Sequence, residues 1–78
     1  MEKESPTRPD LSALREILPP YVQRTFPRFK ELTGFSPRTC ANMDSQKRGP
    51  KKRILMGNCV AYEREALIEW LQEHSVVL

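Results

Sequence analysis

Metal-binding side chains are nearly missing from this chain. Its only histidine is His74, and its two cysteines, Cys40 and Cys59, lie far apart rather than as a CxxC pair. A structural zinc site draws on paired Cys and His ligands, so no metal is expected. Glycine is equally scarce, with Gly34, Gly49 and Gly57 scattered singly, so there is no glycine-rich phosphate loop. No nucleophile, base and orienting acid stand together, and the carboxylates gather towards the two ends. The chain is therefore expected to be no enzyme and to carry no cofactor. No apolar run approaches the ~20 residues of a membrane-spanning helix. The segment Met1-Glu2-Lys3-Glu4-Ser5-Pro6 lacks the apolar core of a signal peptide. These absences predict a cytoplasmic protein without a membrane partner. A single Cys40–Cys59 disulfide is possible on count alone, but free thiols acting as small hydrophobes suit that compartment better.

Charge is present and unevenly placed. Residues 1–22 hold three basic and four acidic side chains, and residues 63–78 hold one and four. Residues 23–62 hold nine basic against two acidic. A basic middle segment of this kind attracts phosphate.

Residues 1–9 are polar, contain Pro6 and Pro9, and read as a disordered tail. Residues 10–18 carry Leu11, Leu14, Ile17 and Leu18 at helical spacing, which predicts a short amphipathic helix ended by Pro19-Pro20. Residues 10–20 then form an N-terminal helix and linker, and residues 21–78 the main domain, beginning with a linker or extended stretch over 21–25. Residues 26–33 read as a helix starting at Pro27, with Phe26, Phe29 and Leu32 inward. Gly34 is placed to stop it in a left-handed turn. Ser36 is placed to cap the next helix, and Pro37 suits its first position. That second helix runs to about Gln46, with Cys40 and Met43 inward. Lys47-Arg48-Gly49-Pro50 breaks it. Residues 51–56 and 59–62 predict a hairpin turning at Gly57-Asn58. Residues 63–74 predict a closing helix with Leu67, Trp70 and Leu71 as its apolar stripe.

Two short helices around a tight glycine turn are the pattern of a helix-turn-helix, whose second helix enters the DNA major groove. Residues 22–74 resemble the small winged helix-turn-helix proteins of the phage excisionase type, related to the DNA-binding domain of the mercury-resistance-regulator (MerR) group. The resemblance rests on Thr33-Gly34-Phe35-Ser36, Ser36-Pro37-Arg38-Thr39, Gly49-Pro50, Met56-Gly57-Asn58, Tyr62 and Leu67-Ile68-Glu69-Trp70-Leu71. It implies a mostly α fold with a small β-hairpin, the wing. Two features depart from it. Cys40 and Met43 stand where a leucine and an aromatic residue are usual, and the wing tip carries no arginine.

On this reading Arg38 contacts guanine or phosphate, or else pairs with Asp44 or Glu31 at the surface. Thr39 meets a thymine methyl or a phosphate, and Asn42 pairs with adenine. Ser36 caps the helix and brings backbone amides to phosphate. Ser45 and Gln46 lie farther along the groove. Lys47, Arg48, Lys51, Lys52 and Arg53 hold phosphates, with Arg24, Arg28 and Lys30 as further candidates beside the first helix. The expected partner is double-stranded DNA, joined by a second copy or a recombinase. The expected role is that of a prophage or mobile-element transcriptional regulator or an excision accessory factor. The alternative is a protein-interaction module on the same fold that does not bind DNA.

Overall fold

The computed structural model describes residues 8–78, so most of the expected tail lies outside the described residues. Three helices and a three-stranded antiparallel sheet make up the fold. The elements in chain order are β1 (Tyr21–Gln23), α1 (Phe29–Thr33), α2 (Pro37–Ser45), β2 (Arg53–Met56), β3 (Cys59–Glu63) and α3 (Arg64–Glu73). No helix among the described residues is long and apolar enough to cross a membrane.

The segment expected as an N-terminal helix is instead a short 3-10 turn, Ser12–Glu16. A segment as short as residues 10–18, closed by Pro19-Pro20, does not sustain an α-helix alone, and tertiary contacts set its shape. Leu18 is buried, and Leu11 and Leu14 pack against the core. Leu11 N donates to Gln72 Oε1 of α3 at 2.7 Å, and Arg15 pairs with Glu65 at 2.6 Å.

The expected hairpin gains a third strand. Residues 21–23 pair with β3 in the register Tyr21↔Glu63, Val22↔Tyr62 and Gln23↔Ala61, giving the order β1-β3-β2. The extended alternative for residues 21–25 thus holds over Tyr21–Gln23, where Val22, a fully buried β-branched side chain paired with Tyr62, ties the chain to the sheet. In the hairpin itself, positive φ falls on Gly57 and not on Asn58, the pattern of a two-residue turn with glycine first.

The first helix is shorter than its sequence suggests. Phe26, Pro27 and Arg28 form a turn closed by Phe29 N to Phe26 O at 3.0 Å, with Arg28 at φ 64°, and α1 starts only at Phe29. Pro27 thus serves the turn before the helix rather than its first residue. The end of α1 follows expectation. Gly34 adopts φ 80° and its N–H reaches Lys30 O at 2.7 Å.

The core gathers Leu18, Val22, Phe29, Cys40, Tyr62, Leu67, Ile68, Trp70 and Leu71, with Phe26, Leu32, Phe35 and Met43 packed around it. Phe35, at the turn between α1 and α2, lies 4.8 Å from Trp70 between ring centroids. Both cysteines are free. Cys40 is buried on the inner side of α2, and Cys59 sits half-buried beside Thr25.

One buried charge stands inside this small core. Asp44, on the inner face of α2, accepts from Arg24 Nη2 and from Tyr62 Oη at 2.6 Å. Arg24 Nε donates to the same Tyr62 oxygen at 2.8 Å, and Arg53 Nη1 lies 3.8 Å from Asp44 Oδ1. Removing one partner from such a cluster leaves a buried charge uncompensated and costs about 3–5 kcal/mol. A chain of 78 residues has only about 4–12 kcal/mol in all. Gly49 makes room for the cluster. A Cβ there would stand 1.9 Å from Asp44 Oδ1, and the other oxygen of that carboxylate is held by Arg24 and Tyr62.

Two outcomes follow from this packing. Gly49→Ala is expected to destabilise the fold by about 1–3 kcal/mol in urea titration, the usual cost of overpacking. The second concerns alkaline pH. Burial pushes the Cys40 thiol from 9.0 up to about 11, and burial followed by the Asp44 hydrogen bond pushes the Tyr62 phenol above its ordinary value of 10.0. The folded state therefore keeps protons that the unfolded chain gives up, so stability is full below pH 9 and falls as pH rises past it. Urea midpoints for the native chain and Tyr62→Phe measure this, with the variant losing less stability between pH 10 and 11.

Candidate functional site

The local sequence fixes both ends of α2. At its start, Ser36 has φ −72° and ψ 155°, and its hydroxyl accepts from Thr39 N at 3.1 Å while Pro37 takes the first helical position. The same hydroxyl lies 2.9 Å from Thr39 Oγ1. At its end, Lys47 N reaches Asp44 O at 3.0 Å and Arg48 N reaches Met43 O at 2.8 Å. These are the two bonds of a Schellman cap, and Lys47 occupies the left-handed position usually given to glycine, at φ 61°. Trp70 Nε1 then donates to Arg48 O at 2.8 Å and holds the capped end against α3.

Held at both ends and by Asp44 between them, α2 turns one polar face outward. Arg38, Thr39, Asn42, Ser45 and Gln46 are all exposed there. Arg38 has neither of the ion pairs considered for it from sequence. Asp44 is taken by Arg24, and Glu31 pairs with Arg28 at 3.6 Å. Asn42 keeps its side-chain amide free of protein hydrogen bonds among the described residues, while Ser45 Oγ donates to Asn42 O at 2.7 Å. Ser36 and Thr39 spend their hydroxyls on the cap. Their contribution at this surface is the exposed first turn itself, with backbone N–H groups and a helix dipole that favour an anion.

The basic residues that follow divide into two groups. Lys47 and Arg48 continue from the end of α2, with Arg48 Nη1 3.1 Å from Gln46 Oε1. Lys51 and Lys52 turn towards α3 instead. Lys51 Nζ lies 3.8 Å from Glu69 Oε1, and both lysines line a shallow hollow with Glu63, Glu65 and Glu69. Arg53 stands between the groups, half exposed, with its guanidinium near Asp44. Of the cations considered beside the first helix, Arg24 is not available to grip a backbone. It is the inner partner of Asp44 and Tyr62 and also lies 5.7 Å from the Tyr62 ring centroid. Lys30 is exposed, and Arg28 is exposed in its pair with Glu31.

The residues missed from sequence are those that position this face rather than form it. Asp44 falls four residues after Cys40 on the same inward stripe, and that spacing is a signal for a buried carboxylate needing a partner. Gly49 and Arg24 carry no such local sign. Among the described residues no cluster of His, Cys, Asp and Glu is disposed to hold a metal ion.

The cap of α2 gives a direct test. Lys47→Gly removes the strain of a side chain in the left-handed region and is expected to stabilise the fold by about 1 kcal/mol in urea titration. An unchanged or lowered midpoint would contradict the Schellman geometry.

The chain matches no family model, no curated protein and no solved structure.

Proposed function

We propose that this chain is a sequence-specific double-stranded DNA-binding protein of the winged helix-turn-helix kind, similar to phage excisionases and the MerR-group DNA-binding domain. In this reading α1, the Gly34 turn and α2 are the helix-turn-helix, and β2 with β3 is the wing. The role is that of a prophage or mobile-element transcriptional regulator or excision accessory factor. The observation that carries it is the outer face of α2, where Arg38, Thr39, Asn42, Ser45 and Gln46 lie exposed on a helix fixed at both ends.

The mechanism is binding without catalysis. The first turns of α2 enter the major groove, where Arg38 offers two parallel donors to guanine and Asn42 offers a donor and an acceptor to adenine. The amides around Ser36 take a phosphate, and Lys47 and Arg48 take others. Rigidity of α2 reduces the ordering cost of that contact. One small domain buries little surface, so binding at repeated sites would supply affinity by avidity.

A second reading has a specific observation behind it. Lys51 is engaged by Glu69, the wing tip has no arginine, and the strand β2 is apolar and exposed. These favour a protein-interaction module. Trp70 is buried, whereas Val76, Val77 and Leu78 are exposed.

Fluorescence anisotropy against a duplex selected from random sequence tests the DNA reading. Arg38→Ala and Asn42→Ala are each expected to weaken binding by about 1–3 kcal/mol while leaving thermal unfolding unchanged. Lys47→Ala and Arg48→Ala are each expected to lower the slope of log affinity against log salt by about one. Unchanged affinity in both Arg38→Ala and Asn42→Ala would remove α2 as the reading helix.

A further inference from the structure

Among the described residues the sheet has two edges, β1 and β2, and nothing covers the edge of β2. β1 is three residues long and follows Pro19-Pro20, which blunts it. β2 has no proline and no bulge in its pairing with β3, and all four of its residues are exposed. Its apolar side chains are open to solvent, Ile54 by 41%, Leu55 by 71% and Met56 by 42%.

The phase of the ladder shows which backbone groups are free. Glu63 N donates to Lys52 O at 3.1 Å, so Lys52 faces β3. Val60 O accepts from Arg24 N at 3.1 Å, so Val60, the partner of Leu55, turns its backbone groups away from β2. Antiparallel pairs alternate between bonded and unbonded positions. The N–H and C=O of Arg53 and Leu55 therefore point outward along the open edge.

Charge selects what covers it. Lys51, Lys52 and Arg53 stand at one end of the edge and line an open hollow of about 520 Å³ with Tyr21, Ile54 and Glu63; Lys51 and Arg53 reach Glu69 and Asp44 only at 3.8 Å, and Lys52 has no ion pair among the described residues. Two copies paired antiparallel along β2 would set each copy's cations beside the other's Met56 and Gly57 at opposite ends of the seam, so a second copy brings them no acidic partner. The chain's own exposed residues Val76, Val77 and Leu78 are apolar and bring no acidic side chain to these lysines.

We propose that β2 is a docking edge for an extended acidic segment of a partner protein, which adds to the sheet as a fourth, antiparallel strand. Main-chain bonds to Arg53 and Leu55 supply the register, small β-branched side chains cover Ile54 and Met56, and acidic residues meet Lys51 and Lys52. This site is separate from the outer face of α2 and does not depend on the DNA reading.

The test is an amide titration of the whole chain with the capped peptide Thr-Val-Thr-Val-Thr-Glu-Glu and with its counterpart ending Lys-Lys. The acidic peptide is expected to give saturable shifts and slowed hydrogen exchange at Arg53 and Leu55. Leu55→Pro deletes the outward N–H without touching the β2–β3 bonds, and is expected to weaken binding about tenfold. Should Leu55→Pro disturb the fold, Leu55→Glu replaces it and repels the same peptide. The acidic peptide is expected to bind Arg38→Ala as it binds the native chain, which separates this site from the α2 face. Absence of shifts at β2, or equal binding of the Lys-ended peptide, overturns the proposal. So does a concentration-dependent dimer abolished by Leu55→Pro in a chain that ignores the peptide, since a second copy would then own the edge.

Discussion

The carboxylate of Asp44 is the point on which this small fold turns. It lies on the inner face of α2 and draws in Arg24 from the loop after β1, Tyr62 from the central strand and Arg53 from the edge strand. Four separate stretches of chain are thereby tied at one place. A buried ion pair gives little net stability over an apolar replacement, because desolvation offsets most of the attraction. What it imposes is geometry. An apolar contact between α2 and the sheet would tolerate sliding, whereas Oδ2 receives two directed donors and fixes both the rotation and the height of the helix.

The rest of α2 is consistent with that constraint. Ser36 closes its first turn, Lys47 and Arg48 close its last, and Trp70 pins the closure to α3. Lys47 accepts a left-handed backbone to do so. Gly49 is a glycine because Asp44 Oδ1 occupies the space its side chain would need. A helix of nine residues is too short to be stable by itself, so its outward face is ordered by what lies behind it. This is the physical link between an inner carboxylate and an outer row of Arg38, Asn42 and Ser45.

Much of the helical framework is legible in the sequence, because caps and turns are local chemistry. Gly34, Ser36-Pro37 and Gly57-Asn58 each act where their residue types dictate, and Leu67, Trp70 and Leu71 face inward as their spacing requires. Ile68 joins them in the core. The features that escaped depend on partners distant in the chain. The three residues of β1 become a strand only because Val22 meets Tyr62, and the 3-10 turn near the N-terminus is shaped by α3. Gly49 looks like a helix breaker beside Pro50, yet the left-handed stop falls on Lys47. Arg24 and Asp44 look like surface charges until they are placed 20 residues apart in sequence and in contact in space. At the candidate site, the exposed row on α2 follows from helical spacing. The division of the basic residues between α2 and the acidic flank of α3 does not, because it depends on where the chain runs after Pro50.

On the DNA-binding proposal, the outer face of α2 and the cations that follow it, Lys47 and Arg48, meet nucleic acid. The most direct measurement is an amide chemical-shift titration with short duplex DNA of mixed sequence, at low and then moderate salt. The account predicts salt-sensitive shifts over residues 36–48, with α3 quiet from Glu65 onward. Absence of shifts on α2 even at low salt would contradict it and leave the sheet edge as the working surface of the protein.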